Sequence, residues 1–103
     1  MNYSIIKTDA VDMVFGKDDP RNYTSVSHRI LAGGDSLEEA KTEAMRAALH
    51  TAETFVSDRP TAVSLVWRSS VQLDLRVSWG DTNAQVSRET YVIYRQPHEE
   101  AQR

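Results

Sequence analysis

Three histidines are the residues best suited to bind a metal or carry a proton, and they lie far apart along the chain. His28 falls in a strand-like segment, His50 on the polar side of a predicted helix and His98 near the end of the sequence. No two have the close spacing of a zinc or metalloprotease motif, and the chain contains no cysteine. We therefore predict neither a metal site nor a cofactor. His28 shares a strand face with Val26 and Ile30, which fits a partly buried histidine better than a catalytic one.

The other residue types that enzymes use occur without the arrangement that catalysis needs. No serine lies in a Gly-x-Ser-x-Gly elbow. Neighbouring carboxylates such as Asp18 and Asp19 stand in a predicted turn, where water solvates them, whereas a general acid or base needs a desolvated cleft. Residues 33–36 precede a helix and could bind an anion there, but neither a Walker lysine nor a spaced glycine motif follows. We predict a protein that is not an enzyme and has no catalytic residues.

Arginine is the residue type that indicates binding. The chain has nine arginines against three lysines, and several of the arginines fall in predicted strands. Outward side chains of neighbouring strands stand about 5 Å apart, so we expect Arg76 to join its neighbours, Glu89 included, in one mixed patch. Arginine with aromatic residues is typical of interface hot spots, although ordinary cross-strand ion pairs are the competing interpretation. The predicted binding site on the sheet face comprises Arg68, Gln72, Asp74, Arg76, Arg88 and Tyr91.

These side chains must be positioned by a helix and a set of strands, of which the helix is the clearest. Ser36 begins a capping-box sequence that ends at Glu39, and a helix is predicted from about residue 36 to 57. Lys41 lies on the apolar side of this helix. Its ammonium group must therefore extend past the apolar surface to water or pair with another side chain. Pro60 ends the helix and is expected to hold Arg59 extended. At 100° per residue, the predicted apolar arc contains Leu37, Ala40, Ala44, Met45, Ala47, Ala48, Leu49, Ala52, Phe55 and Val56.

Five strand-like segments surround this helix, two before it and three after it. The segment 71–79 alternates strictly between apolar and polar residues, which is typical of a sheet with one face in the core and one in water. The segment 91–94 is apolar on both faces, which indicates partial cover on each. The predicted fold is a two-layer α+β domain, β-β-α-β-β-β, with one amphipathic helix packed on a mainly antiparallel sheet. It spans residues 1–95, and residues 96–103 are predicted to form a polar flexible tail.

Length and charge narrow the class of protein. With 103 residues, 40% hydrophobic and 26% charged, the chain has the composition of one globular domain. Its net charge of −3 is spread along the sequence, which argues against general nucleic-acid binding. It has no apolar run of the ~18 residues that a membrane span requires and no secretory signal. We expect a soluble, cytoplasmic protein without a membrane partner.

The segment Gly33-Gly34-Asp35-Ser36-Leu37-Glu38-Glu39-Ala40 resembles the strand-to-helix joint of HicB-type antitoxins. The proline-glycine-cysteine turn that this family carries before the joint is absent here, because residues 23–32 read as an uninterrupted strand, so the resemblance implies no function. In size, mild acidity, lack of cysteine and one helix against a short antiparallel sheet, the chain is also similar to small inhibitors that phages and mobile elements encode, anti-CRISPR proteins included.

The leading hypothesis is a small non-catalytic protein-binding module that occupies a partner's surface through the open sheet face, a sheet edge or the acidic side of the helix. Within this class, the similarity favours an inhibitor of the phage or mobile-element kind that blocks a partner's surface. The alternative is a nucleic-acid-binding accessory domain that uses the same arginine- and tyrosine-bearing sheet face, and we rank a nucleic acid below a protein as partner. A third hypothesis is an enzyme with a shallow site around His28. Because a short antiparallel sheet leaves edge strands, we also expect a homodimer, with residues 91–94 most in need of cover.

Overall fold

The order of the elements confirms the predicted β-β-α-β-β-β pattern and the α+β fold class. The computed structural model describes residues 2–80 and 84–96. Residues 97–103, which contain most of the predicted tail, lie outside the described residues. The elements are β1 (Tyr3–Val14), β2 (Tyr23–Gly34), α1 (Leu37–Val56), β3 (Ala62–Ser69), β4 (Gln72–Trp79) and β5 (Ala84–Arg95).

The five strands form one antiparallel sheet in the order β2-β1-β5-β4-β3. The first and last strands, β1 and β5, pair in its centre over their whole length, from Tyr3 opposite Arg95 to Val14 opposite Ala84. Strands β2 and β3 are therefore the edges. The expectation that residues 91–94 most need cover is wrong, because this segment of β5 is paired on both sides.

The helix packs on one face of the sheet through a row of alanines. Ala40, Ala44 and Ala48 are wholly buried, and their spacing of four residues places them in one ridge along α1. Alanine has no side chain beyond Cβ, so the helix backbone approaches the strands closely. The buried side chains that meet this ridge come from β1, β4 and β5 and are Ile5, Leu73, Tyr91 and Ile93.

The apolar arc of the helix is narrower than the sequence predicts. Leu49 and Val56 are 46% and 58% exposed. At 100° per residue they lie about 140° and about 120° around the helix from Ala44, so they turn away from the sheet. The helix in the described part of the chain is not both long and apolar enough to cross a membrane.

The start of the helix confirms the predicted capping interaction. The Ser36 hydroxyl oxygen accepts a hydrogen bond from the backbone N–H of Glu39 at 3.1 Å. The Glu39 carboxylate in turn accepts from the backbone N–H of Asp35 at 2.9 Å. Backbone amides that an anion would need are thereby occupied.

The end of the helix differs from the prediction at one residue. The backbone N–H of Arg59 donates to the carbonyl oxygen of Val56 at 3.1 Å, and Arg59 has a φ of +54°. The expectation of an extended Arg59 is therefore wrong. A left-handed residue here closes the last turn and redirects the chain before Pro60.

Lys41 is accommodated in the way that its position in the apolar arc requires. Its ammonium nitrogen lies 5.1 Å from the centre of the Trp67 ring. The aliphatic stem thus covers apolar surface while the charge rests against the ring face.

The alanine ridge predicts a strong dependence of stability on side-chain size. Replacing Ala44 by leucine should lower the free energy of unfolding by about 1–3 kcal/mol, because the added carbons have no space between helix and sheet. Replacing the exposed Thr42 by leucine is the matched control and should change stability by no more than about 0.5 kcal/mol. Urea denaturation followed by circular dichroism measures both, and equal effects would contradict close packing at Ala44.

Candidate functional site

The sheet face that α1 does not cover, called the open face here, carries the charged residues of the predicted site. Leu73, Leu75 and Val77 of β4 are buried on the helix side, so the alternate residues of this strand project from the open face. Arg76 is opposite Arg88 of β5 in the strand register. Five of the six predicted residues lie on this face: Arg68, Gln72, Asp74, Arg76 and Arg88.

Two of the three arginines on the open face have acidic partners. The Arg68 guanidinium donates to the Asp74 carboxylate at 3.0 Å, and the side-chain amide of Gln72 donates to the other oxygen of the same carboxylate at 3.2 Å. The guanidinium of Arg88 lies 2.8 Å from the carboxylate of Asp12 on β1. These contacts hold Arg68 and Arg88 in place, because both of their partners are half-buried.

Arg76 differs from its neighbours because it forms no ion pair or hydrogen bond with any residue in the ranges 2–80 and 84–96. It is exposed, and its cross-strand neighbour is another cation, Arg88. Like charges directly opposite each other on a sheet destabilise the pair. We call Arg68, Arg76 and Arg88 the arginine patch. Its three guanidinium groups face two aspartates, so the patch carries one uncompensated positive charge on a chain whose net charge is −3.

A shallow cleft of about 170 Å³ lies within the arginine patch. This volume is several times the ~30 Å³ that one water molecule occupies in the liquid, and it accommodates a carboxylate or a phosphate group. The guanidinium groups supply donors in the fork geometry that such anions accept. The cleft is lined by Arg68, Asp74, Leu75, Arg76, Arg88 and Thr90.

The other half of the open face is aliphatic. Ile6 lies opposite Ile30 of β2 on one side and Val92 of β5 on the other. Val26 lies on the same face of β2, four residues before Ile30. We call Ile6, Val26, Ile30 and Val92 the aliphatic strip. A groove of about 710 Å³ lies between β1 and β2, and two residues of the strip, Ile6 and Ile30, line it together with Thr8, His28 and Arg29. The open face therefore combines an apolar half with a cationic half.

His28 lines this groove beside Thr8. Its Nδ1 atom is 3.0 Å from the Thr8 hydroxyl oxygen, and its side chain is exposed. His50 is exposed on the helix, whereas His98 lies outside the described residues. Within residues 2–80 and 84–96, no group of three or more His, Asp or Glu side chains is placed to hold a metal ion.

The prediction that Tyr91 and Glu89 belong to the open face is wrong. Both face α1, where Tyr91 is 0% and Glu89 only 7% exposed. The Tyr91 hydroxyl donates to the Glu89 carboxylate at 2.5 Å. Residues 91–94 are apolar on both faces, so their pattern did not reveal which face meets the helix; the register with Leu73 decides it.

A half-buried charged cluster on the helix side of the sheet is the feature that the sequence did not predict. The Lys7 ammonium lies 3.1 Å from the Glu89 carboxylate and 3.7 Å from that of Asp9. Burial raises the pKa of Glu89, and a hydrogen bond with Asp9 raises it further, while Tyr91 and Lys7 act in the opposite direction. Burial and the bond to Glu89 also raise the pKa of the Tyr91 phenol. The sequence held one signal of this cluster: Lys7 and Asp9 lie two residues apart in β1, on the same strand face as Ile5.

Comparisons of the chain with known protein families, with curated proteins and with solved structures find no match.

The buried Glu89 carboxyl predicts a specific dependence of stability on pH. Its pKa in the folded protein lies above its ordinary value of 4.5, so the folded state retains a proton that the unfolded state loses. The contribution of Glu89 to stability is then fully present below pH 4.5 and is lost as the pH rises through the folded pKa. Relative to a Glu89→Gln variant, the wild type should become less stable as the pH rises from 4 to 8.

Urea denaturation at a series of pH values measures this difference. Glu53→Gln is the matched control, because Glu53 is exposed on the helix, and its stability should parallel that of the wild type. A constant difference between wild type and Glu89→Gln across the range would contradict the raised pKa.

Proposed function

We propose that this protein is a small, non-catalytic binding module that attaches to a protein partner through the open face and so blocks the partner's surface. The observation that carries the proposal is the uncompensated charge of Arg76 beside Arg88, on a face that the helix leaves uncovered. A carboxylate of an acidic partner, seated in the cleft, would relieve the repulsion between the two guanidinium groups and accept charge-assisted hydrogen bonds from them.

The aliphatic strip supports a protein as the partner. Ile30 and Val26 are 66% and 54% exposed, and they lie on the same face as the arginine patch. Protein interfaces combine a desolvated apolar centre with arginine anchors and a polar rim. A partner that presents apolar side chains beside an acidic group matches both halves of the open face.

The observations support a nucleic acid less well. The slope of affinity against salt concentration reflects the number of phosphates neutralised, and two of the three arginines in the patch are already paired with aspartates. Base stacking also requires exposed aromatic rings. Tyr91 is buried, and Tyr94, which shares the open face, is six residues along β5 from Arg88.

The proposal also covers the kind of binding module, its compartment and its oligomeric state. Small size, mild acidity and the absence of cysteine favour an inhibitor of the kind that phages and mobile elements encode, anti-CRISPR proteins among them. Chains without cysteine need no oxidising compartment, which favours the cytoplasm. We propose in addition that the protein forms a homodimer.

Reversing the charge of Arg76 tests the proposed face. Arg76→Glu should lower the affinity for the partner at least about tenfold, because it replaces the free cation with an anion. The fold should keep or slightly gain stability, by up to about 1 kcal/mol, because the new carboxylate lies opposite Arg88. The measurement pairs thermal denaturation with quantitative capture from a cell lysate, followed by titration with the protein that is captured.

Arg46→Glu makes the same charge change on the exposed side of the helix and should leave capture intact. Equal capture by wild type and both variants would rule out the open face. Binding of random single-stranded oligonucleotides at low salt, lost in Arg76→Glu but not in Arg46→Glu, would support the nucleic-acid alternative instead.

A further inference from the structure

Strand β2 is a long, unprotected edge of the sheet. Every residue from 21 to 30 is exposed, and the core begins only near the end of the strand, where Leu31 packs against the buried cluster and Gly33 is buried. Natural edge strands are usually blunted by lysine, proline, inward-pointing charges or a bulge. The twelve residues of β2 contain no lysine, proline or carboxylate, and Arg29 is their one permanently charged residue. The pairing of β2 with β1 is irregular only beside Tyr3.

We propose that β2 pairs with β2 of a second copy of this chain, antiparallel and about a two-fold axis at His28. The two sheets then become one sheet of ten strands, with both open faces on the same side. In an antiparallel pair, residues that lie opposite each other project from the same face. A two-fold axis that passes through a residue pairs positions an even number of residues apart, which project from the same face. An axis between two residues would pair positions that project from opposite faces.

The length and the apolar pattern of β2 select His28 as the centre. Strand β2 runs from Tyr23 to Gly34, so an axis at His28 pairs nearly its entire length. Val26 then lies opposite Ile30 of the partner subunit, and Ile30 opposite Val26 of the partner subunit. These two side chains are 54% and 66% exposed in one copy, and the pairing brings both aliphatic strips together.

The charge of the strand excludes the neighbouring registers. Arg29 is the only residue of β2 that is permanently charged. An axis at His28 places it opposite Ser27 of the partner subunit, whereas an axis at Arg29 brings two guanidinium groups face to face, which is unfavourable. An axis at Ser27 places Val26 opposite a histidine and loses both aliphatic pairs.

The size of the contact fits a reversible dimer. Eleven paired residues extend ~36 Å at ~3.3 Å per residue, and a band ~15 Å wide gives roughly 1,100 Å² buried over both copies, near the lower end of specific interfaces. About ten backbone hydrogen bonds accompany it. Pairing of β2 with β3 would instead join unlike edges and leave one of each free for further copies, and β3 has only eight residues and an irregularity near Trp67.

Sedimentation equilibrium at micromolar concentrations tests the dimer, and a double variant tests the edge. Val26→Lys with Ile30→Lys should raise the dissociation constant about a hundredfold or more, because it replaces two apolar pairs with opposed cations. Both positions are exposed, so the subunit fold should remain intact by circular dichroism. The matched control, Ala62→Lys with Val66→Lys, changes two exposed residues four apart on the open face of the other edge strand and should leave the dimer unchanged. A wild type that stays monomeric throughout the micromolar range, or dissociation by the β3 variant alone, would overturn the proposal.

Single cysteines report the register, since the chain has no cysteine of its own. Opposite residues in an antiparallel pair have Cα atoms about 4.5–5.5 Å apart, within the range that a disulfide spans. Under mild oxidation His28→Cys should form a covalent dimer, and an equimolar mixture of Val26→Cys and Ile30→Cys should give the mixed dimer in preference to either homodimer. Faster crosslinking of Ser27→Cys, or of Val66→Cys on β3, would refute the register or the edge.

Discussion

The contact between the alanine ridge of α1 and the buried face of the sheet is the constraint on which the rest of the structure depends. Ala40, Ala44 and Ala48 are wholly buried against the strands. A helix is about 10 Å across, whereas five strands at ~4.8 Å spacing span about 19 Å. One helix therefore covers part of one face and leaves most of β2 uncovered. The open face and the exposed β2 edge both follow from this difference in width.

The packing of α1 on the sheet also shields a cluster of charged side chains from water. Lys7, Asp9 and Glu89 lie on the helix side of the sheet, where the Glu89 carboxylate is shared by the Lys7 ammonium and the Tyr91 hydroxyl. Charges that are removed from water are tolerated when each has such partners. Removing one partner alone leaves the others uncompensated, so we interpret the cluster as part of the fold and not as a site that meets a ligand.

The two proposed surfaces fit together geometrically. Arg88 lies two strands in from β2, so its two copies in a dimer would be roughly 25 Å apart, at ~4.8 Å per strand with an offset along the strands. Both arginine patches would face the same way on one continuous sheet. A partner that is itself repeated or symmetric would then meet two cationic sites at once, which raises the apparent affinity without any new kind of contact.

The sequence by itself determined the element order, the helix with its Ser36 cap and the strict alternation of β4, because these depend on local periodicity and on hydrogen bonds between near neighbours. It also brought Arg68, Asp74 and Arg76 to one face, since that follows from alternation along adjacent strands. Only the tertiary structure decided that β1 and β5 pair at the centre and that Tyr91 and Glu89 face the helix. The reason is physical: strand order and the choice of buried face come from contacts between residues far apart in the chain, and a segment apolar on both faces, such as 91–94, carries no local signal of which face is covered.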